Sequence, residues 1–274
     1  MRDEVLAAPP GLEVLFDGPE PGAAALPGSL AELYGGELDL SRRLLYANFV
    51  ASLDGVTAVD PSAPGQGGLV SGGLPADRFL MGLLRAFAEV ILIGAGTLRA
   101  ESAHVWSPGR VYPPVAEAYA ELRQALGLPG ALPLAVLTAS GEVDPTLPAL
   151  AGGVILTNDA GAARVGQAPA GVRVISLGAG GQVDVGKAVA WLRADGFERI
   201  LTEGGPHLFG QLLAAGLVDE LFLTMAPLLA GRERESTQLG LVEGVSLLPG
   251  RAVRGRLLSV RRSQDHLFLR YALS

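Results

Sequence analysis

Residues 200–231 read ILTEGGPHLFGQLLAAGLVDELFLTMAPLLAG. The stretch opens with Ile200–Thr202, a short apolar strand, and passes through Glu203 into Gly204 and Gly205. A helix predicted over Pro206–Ala215 starts at once, with proline in its first turn, where a missing N–H costs nothing. A second apolar strand, Glu220–Met225, follows. Glycines let backbone approach a ligand closely. The amides of His207 and Leu208 then stand at the positive end of the helix, where a phosphate is favoured. Glu203, at the strand end, either accepts hydrogen bonds from an amino-heterocycle or a ribosyl hydroxyl, or bonds its own helix-start amides. His207 is either an acid or a helix-start side chain.

The same grammar recurs upstream in ILIGAGTLRAE (91–101), where the buried strand Val90–Ile93 runs into Gly94-Ala95-Gly96-Thr97. Backbone amides there cradle a phosphate and Thr97 adds a hydroxyl, or the segment is an ordinary tight turn. The third glycine of the usual dinucleotide fingerprint is missing. Two such turns converging at one sheet edge suit an elongated ligand with several phosphates.

Before them lies YANFVASLDG (46–55), the end of a strand over Leu44–Ser52 that closes at the turn signal Asp54-Gly55. Asn48, Val50 and Ser52 share one strand face. A polar Asn48 in an apolar strand either bonds neighbouring backbone or faces a ligand. Pro75–Ala88 carries Phe79, Leu80, Leu83, Leu84 and Phe87 at helical spacing. Asp77 caps that helix or acts as an acid, and Arg85, two turns on, is a surface arginine or offers its fork to a phosphate.

Further helices are expected over Pro114–Leu126, Asp159–Val165 and Asp184–Asp195. Strands are expected over Leu134–Thr138, Val154–Thr157 and Val172–Leu177, with an antiparallel pair at Arg256–Val260 and His266–Tyr271. Strands alternating with helices predict an α/β domain over 41–274, a mixed, mostly parallel sheet covered on both faces. Ligands bind beyond the carboxyl ends of such strands. Residues 1–40, rich in Pro, Gly and Ala, read as an irregular arm with a short helix around Ser29–Tyr34.

The 274 residues are 49% hydrophobic and 18% charged, enough for a sizeable core. With no cysteine, disulfides, thiolate nucleophiles and cysteine-ligated zinc are excluded, and the three histidines are too scattered for a metal site. The net charge of -7 argues against a nucleic-acid partner. No apolar run spans a bilayer and no signal peptide is evident, so the cytoplasm is expected. The basic cluster Arg251–Arg262 reads as a solvated strand pair.

The segments ANFVASLDG (47–55), DRFLMGLLRAFAEVILIGAGTLRAE (77–101) and the stretch at 200–231 together resemble the reductase domain of bacterial riboflavin biosynthesis. That domain belongs to the dihydrofolate-reductase-like family. The resemblance covers about residues 43–272 and is nearest to stand-alone actinobacterial-type members, which also begin with an arm. It implies NADPH as cofactor, with Gly94, Thr97, Leu98, Gly204, Gly205, Pro206, His207 and Leu208 at its phosphates. Thr138 falls near the adenosine end, and the backbone of Val50 and Ala51 lies against the nicotinamide. Asn48, Asp77, Arg85 and Glu203 fall on the substrate side, with Asp77 the candidate catalytic acid. No metal is implied, and a homodimer is.

The loop ESAHVWSPGRVYPP (101–114) departs from the family, keeping Glu101 at an acidic position and offering Arg110 in place of a phosphate-binding arginine. The activity implied is reduction of a ribosylamino-pyrimidine 5'-phosphate to its ribityl form. A dihydrofolate- or dihydropterin-type reductase is the alternative that the altered loop favours. A catalytically silent nucleotide-binding protein is the third reading.

Overall fold

The structure is a computed structural model that describes residues 11–18, 26–233 and 235–274. The apolar run Leu44–Ser52 forms the long strand β2, after an N-terminal strand β1 (Glu13–Asp17) and helix α1 (Gly28–Tyr34). A short β3 (Val56–Ala58) and α2 (Gln66–Val70) lead to α3 (Pro75–Phe87), which has proline in its first turn as predicted. Then follow β4 (Val90–Gly94), α4 (Ala95–Ala100), α5 (Pro108–Val111), α6 (Ala116–Ala125) and β5 (Leu134–Leu137). The chain continues through β6 (Val154–Thr157), α7 (Asp159–Val165), β7 (Arg173–Ser176) and α8 (Val185–Ala194). It ends with β8 (Arg199–Thr202), α9 (Pro206–Ala214), β9 (Glu220–Ala226), β10 (Leu239–Gly240) and the hairpin β11 (Gly255–Ser263) and β12 (His266–Leu273).

Ten strands make one sheet in the order β1-β11-β12-β9-β2-β8-β4-β5-β6-β7. From β9 to β7 all neighbours are parallel, and β12, β11 and β1 are added antiparallel. This is the mixed, mostly parallel sheet of the expected α/β class. The chain steps outward from β4 to β7, then returns to insert β8 between β2 and β4. Strand order therefore reverses at β8, the place where open α/β sheets gather ligands.

Strand alternation divides the core between the two faces. Tyr46, Ile91, Ile93, Leu201 and Phe222 meet Phe79, Leu83, Leu84 and Phe87 of α3 on one side. Leu45, Ala47, Leu92 and Ile200 meet Val189, Leu192, Phe209 and Leu212 of α8 and α9 on the other. Burying each large apolar side chain of this kind contributes about 1.5–3 kcal/mol. Gly82 shows how closely α3 and α6 pack, since a Cβ there would lie 2.7 Å from the Tyr119 ring. The hydroxyl of Tyr119 in turn donates to the Phe79 carbonyl at 2.8 Å. Asp184 caps α8 by accepting from the amides of Gly186 and Lys187, as its sequence position predicts.

Four expectations need correction. The arm was expected to be irregular apart from one helix, yet β1 pairs antiparallel with β11. All five of its residues are exposed, so no buried periodicity betrays it. The segment after Gly94 is a helix start, with Gly94 as its N-cap, rather than a free turn. The basic C-terminal cluster is not wholly solvated: Arg261 is buried, bonded to both Asp17 carboxylate oxygens at 3.0 and 3.1 Å, and lies over the Tyr34 ring. The expected helix at Pro114–Leu126 is also modified, beginning as a 3-10 turn at Pro113–Val115.

Candidate active site

The pairing of β8 with β2 stops at Ala47↔Thr202, while β2 runs on against β9 as far as Ser52↔Ala226. Beyond Ala47, the β8-facing edge of β2 therefore has no strand partner, and a crevice opens between the carboxyl ends of β2 and β4. Its floor is the Gly204-Gly205 turn. A Cβ on Gly204 would fall 2.5 Å from Ile93 Cα and 2.9 Å from the Gly94 amide nitrogen, so only glycine lets the two strand ends meet. Gly205 has φ +44°, and its Cβ position lies 3.4 Å from Thr97 Oγ1. The two glycine turns read from the sequence thus converge at one sheet edge.

Convergence leaves room for a ligand. Cβ atoms added to Gly94 or Gly96 would meet nothing within 4 Å. No side chain caps α9 at Gly205 or α4 at Gly94, and the first amides of a helix have no partner within it. Those donors sit at the positive end of α9, with the Thr97 hydroxyl beside them. Pro206 supplies no donor. Leu98 and Leu208 are buried in the core, so only their backbone is available to a ligand. His207 is exposed, next to Gly244.

At the end of β5, the amide of Thr138 donates to the Leu156 carbonyl and its hydroxyl accepts from the Gly141 amide, which shapes the neighbouring loop. Arg99 reaches towards this loop, donating to the Glu142 carbonyl at 3.1 Å, and not towards the substrate side. Val50 and Ala51 are buried, and Val50 packs with Val70 of α2 and Ala226. Asp54 is a turn residue, as expected: its carboxylate accepts from Ser52 and from the amides of Ala230 and Gly231. These bonds lower its pKa to about 2.

On the α3 side of the crevice a polar cluster interrupts the core. Arg85 is 2% and Glu203 6% exposed, and the guanidinium grips the carboxylate through Nε at 3.0 and 3.1 Å and Nη2 at 2.8 Å. Arg85 Nη1 donates to Nε2 of His104 at 3.1 Å, and the guanidinium lies 5.0 Å from the Trp106 ring centroid. His104 meets Trp106 edge-on. Burial, then the charges of Arg85 and Arg78, lower the His104 pKa to about 4, which keeps it the neutral acceptor that Arg85 requires.

Arg85 is thus neither a surface arginine nor a free phosphate fork, and Glu203 bonds a guanidinium rather than its own helix-start amides. The 101–114 loop supplied His104 and Trp106, which sequence reasoning missed; a histidine and a tryptophan two residues apart were the available signal. Arg110 is exposed on α5, and Glu101 accepts from the Gly65 amide, tying α4 to the segment before α2.

Asp77 is buried in the first turn of α3 and does not cap it, because Leu74 holds the cap position with no side-chain bond. Burial raises its pKa to about 6, against the lowering effect of the Thr224 and Ser71 hydroxyls. Glu203 adds a smaller rise, and among the described residues no cation is paired with the carboxyl. Asn48 is half-buried on this face, and among the described residues its side chain makes no hydrogen bond. Asn48, Asp77, Arg85 and Glu203 therefore share one side of the sheet, above the strand ends that carry the glycine turns.

The family model of the RibD C-terminal domain matches residues 43–268. The fold is similar to that of a pyrimidine reductase-like protein from Corynebacterium diphtheriae, with 24% identity, TM-score 0.64, and coverage of 90% of this chain and 98% of that one. It is also similar to Acinetobacter baumannii RibD, with 18% identity and TM-score 0.61, over 86% of this chain and 59% of the longer RibD chain. The riboflavin biosynthesis reductase Rib7 of Saccharomyces cerevisiae aligns at 14% identity and TM-score 0.58, over 91% of this chain and 95% of its own. At these identities the structural likenesses establish the fold. No curated protein sequence matches the chain.

Proposed function

Because the chain belongs to the RibD C-terminal domain family, we propose that it is an NADPH-dependent reductase of a ribosylamino-pyrimidine 5'-phosphate. The observation that carries the reading is the meeting of Gly204-Gly205 with Gly94–Thr97 beside the unpaired edge of β2. This arrangement offers uncapped amides and open space for a pyrophosphate, and a slot for a flat ring along the β2 backbone. Within it, Gly94, Thr97, Gly204, Gly205 and the amides of Leu98, His207 and Leu208 hold the phosphates. Thr138 would flank the adenosine, and the backbone of Val50 and Ala51 would hold the nicotinamide.

When bound, NADPH supplies a hydride to the carbon of a C=N bond in the ring-opened ribosyl chain, and a proton completes the amine at nitrogen. The protein's work is to place two flat rings together and exclude water. Asp77 orients the pyrimidine through its hydrogen-bonding edge, and Asn48 offers a half-buried amide on the same side. The Arg85–Glu203 pair fixes the end of β8, and with it the turn on which the phosphates rest.

One observation favours the second reading, a dihydropterin-type reductase. His104, Trp106 and Glu203 occupy the Arg85 guanidinium, so it is not free to take a substrate phosphate. The test is loss of reduced-nicotinamide absorbance with purified protein, run beside ribosylamino-pyrimidine phosphates and dihydrofolate. Turnover of the former supports the proposal, and turnover of dihydrofolate alone transfers it to the second reading. NADPH binding without any turnover leaves the silent binder.

A further inference from the structure

Arg78 follows Asp77 in the first turn of α3 and is half-buried, yet among the described residues no carboxylate pairs with it. Its Nε donates to the Val111 carbonyl at 3.1 Å, which fixes the guanidinium and spends one of its five N–H donors. The Nη1 and Nη2 donors remain. The neighbouring arginines are already engaged. Glu203 and His104 hold Arg85, and Arg123 is spread over the carbonyls of Arg85, Ala86, Ala88, Pro129 and Ala131. A half-buried cation without an anion is costly, unless the position is kept for an anion that arrives with a ligand.

His104 lies close to both Arg85 and Arg78; burial, then these two charges, keeps its ring neutral. Arg85 Nη1 donates to His104 Nε2 at 3.1 Å, so the neutral ring carries its proton on Nδ1. That N–H has no acceptor among the described residues. Two unspent donors, the Arg78 fork and the imidazole N–H, therefore gather where the first turn of α3 faces the 101–111 segment. We infer that Arg78 and His104 form an anion subsite that takes the terminal phosphate or carboxylate of the substrate's side chain. This rests on the reductase reading and gives the substrate's tail an anchor that Arg85, held by Glu203, cannot supply. Ring and tail are then read by successive residues of one helix turn, Asp77 and Arg78. A phosphate offers two oxygens to the Nη groups, a bidentate charge-assisted match, and a third to the histidine N–H. A carboxylate has oxygens for the fork alone.

The full chain has three histidines, so nitrogen-15 NMR of the imidazoles resolves His104, assigned by its loss in His104→Gln. The probe is inorganic phosphate, added to protein saturated with NADP+ so that the cofactor's own phosphate positions are filled. Wild type should show His104 in the Nδ1–H form, with a resonance that moves saturably as phosphate is added. Arg78→Gln should weaken this binding at least about tenfold. Arg78→Lys keeps the charge without the fork, guards against a misfolded Arg78→Gln, and should fall between the two. Arg110→Gln, on the exposed surface of α5, should respond as wild type. An Nε2–H tautomer, no saturable response in wild type, or an unchanged response in Arg78→Gln overturns the inference.

Turnover then identifies the source of the anion. The ribosylamino-pyrimidine 5'-phosphate is compared with its dephosphorylated form, and dihydrofolate with dihydropterin. In the pair that is reduced, KM should be at least about tenfold lower for the anionic member. Arg78→Gln should erase that difference while kcat changes by less than about twofold, the mark of a group that binds the tail and not the reacting atoms. Equal KM within the reduced pair overturns the inference and leaves the reductase reading standing. An Arg78-dependent phosphate response without any turnover upholds the subsite and sinks only the reductase reading.

Discussion

Replacing Glu203 with glutamine removes a charge without removing much volume, and the consequence follows from what remains. Arg85 is 2% exposed and spends Nε and Nη2 on Glu203 through contacts of 2.8–3.1 Å. In Glu203→Gln the guanidinium stays buried, with a neutral His104 and the face of Trp106 as company, and neither cancels its charge. Breaking a buried pair by neutralising one partner costs about 3–5 kcal/mol, because the survivor is left uncompensated. Against a total stability of about 5–15 kcal/mol, that is a large fraction. Urea unfolding followed by tryptophan fluorescence should show the midpoint falling sharply with an unchanged slope. The double variant Arg85→Met, Glu203→Met should recover most of the loss, since removing both charges removes the desolvation cost as well. A loss below about 1 kcal/mol in the single variant would refute the argument that this pair is closed and dry.

Other perturbations address different links. Asp77 has a folded pKa of about 6, above its unfolded value of 3.8, so its contribution is fully present below the unfolded value and is lost as pH rises through the folded one. Asp77→Asn should therefore gain stability relative to wild type between pH 4 and 7, by at most about 3 kcal/mol; a difference that stays flat with pH would sink the assignment. His104 runs the other way. Its pKa, lowered to about 4, makes stability fall as pH drops from its unfolded value towards 4. His104→Gln, measured by the same acid titration, should flatten that limb. Gly204→Ala would place a Cβ 2.5 Å from Ile93 Cα, where backbone must move. A cost of about 1–3 kcal/mol is expected in thermal unfolding, and a neutral result would mean the strand ends do not meet. Asp17→Asn leaves Arg261 buried with a weakened partner, so amide exchange across β1 should quicken while that of β2 and β4 stays unchanged.

The parallel core was legible because its strands are short, apolar and bounded by glycine or proline. Val154–Thr157 and Leu44–Ser52 fall where the sequence puts them, and α9 departs by one residue at its end. β1 escaped because an edge strand exposed on both faces needs no alternation, and its place in the sheet is decided by Arg261, more than two hundred residues away. The glycine turns were readable as chemistry, since few residue types let a strand end approach another backbone. Arg85 and Glu203 were singled out separately, but nothing in the sequence says that they bond each other. That contact exists only because β8 inserts beside β4 under α3. Asp77 had looked as much like a helix cap as an acid. Only the absence of a cap bond and the nearness of Thr224 separate the two.

The central claim is that the crevice between β2 and β4 holds a dinucleotide on the two glycine turns. Gly94→Ala tests it cleanly, because φ is −82° there and the added Cβ meets no protein atom within 4 Å, so the fold should be untouched. Titration of NADPH, followed by its fluorescence, should show saturable binding to wild type. In Gly94→Ala binding should be at least about tenfold weaker, about 1.4 kcal/mol, with the unfolding midpoint unchanged. Equal affinity in the two proteins, or no binding to wild type, would contradict the account.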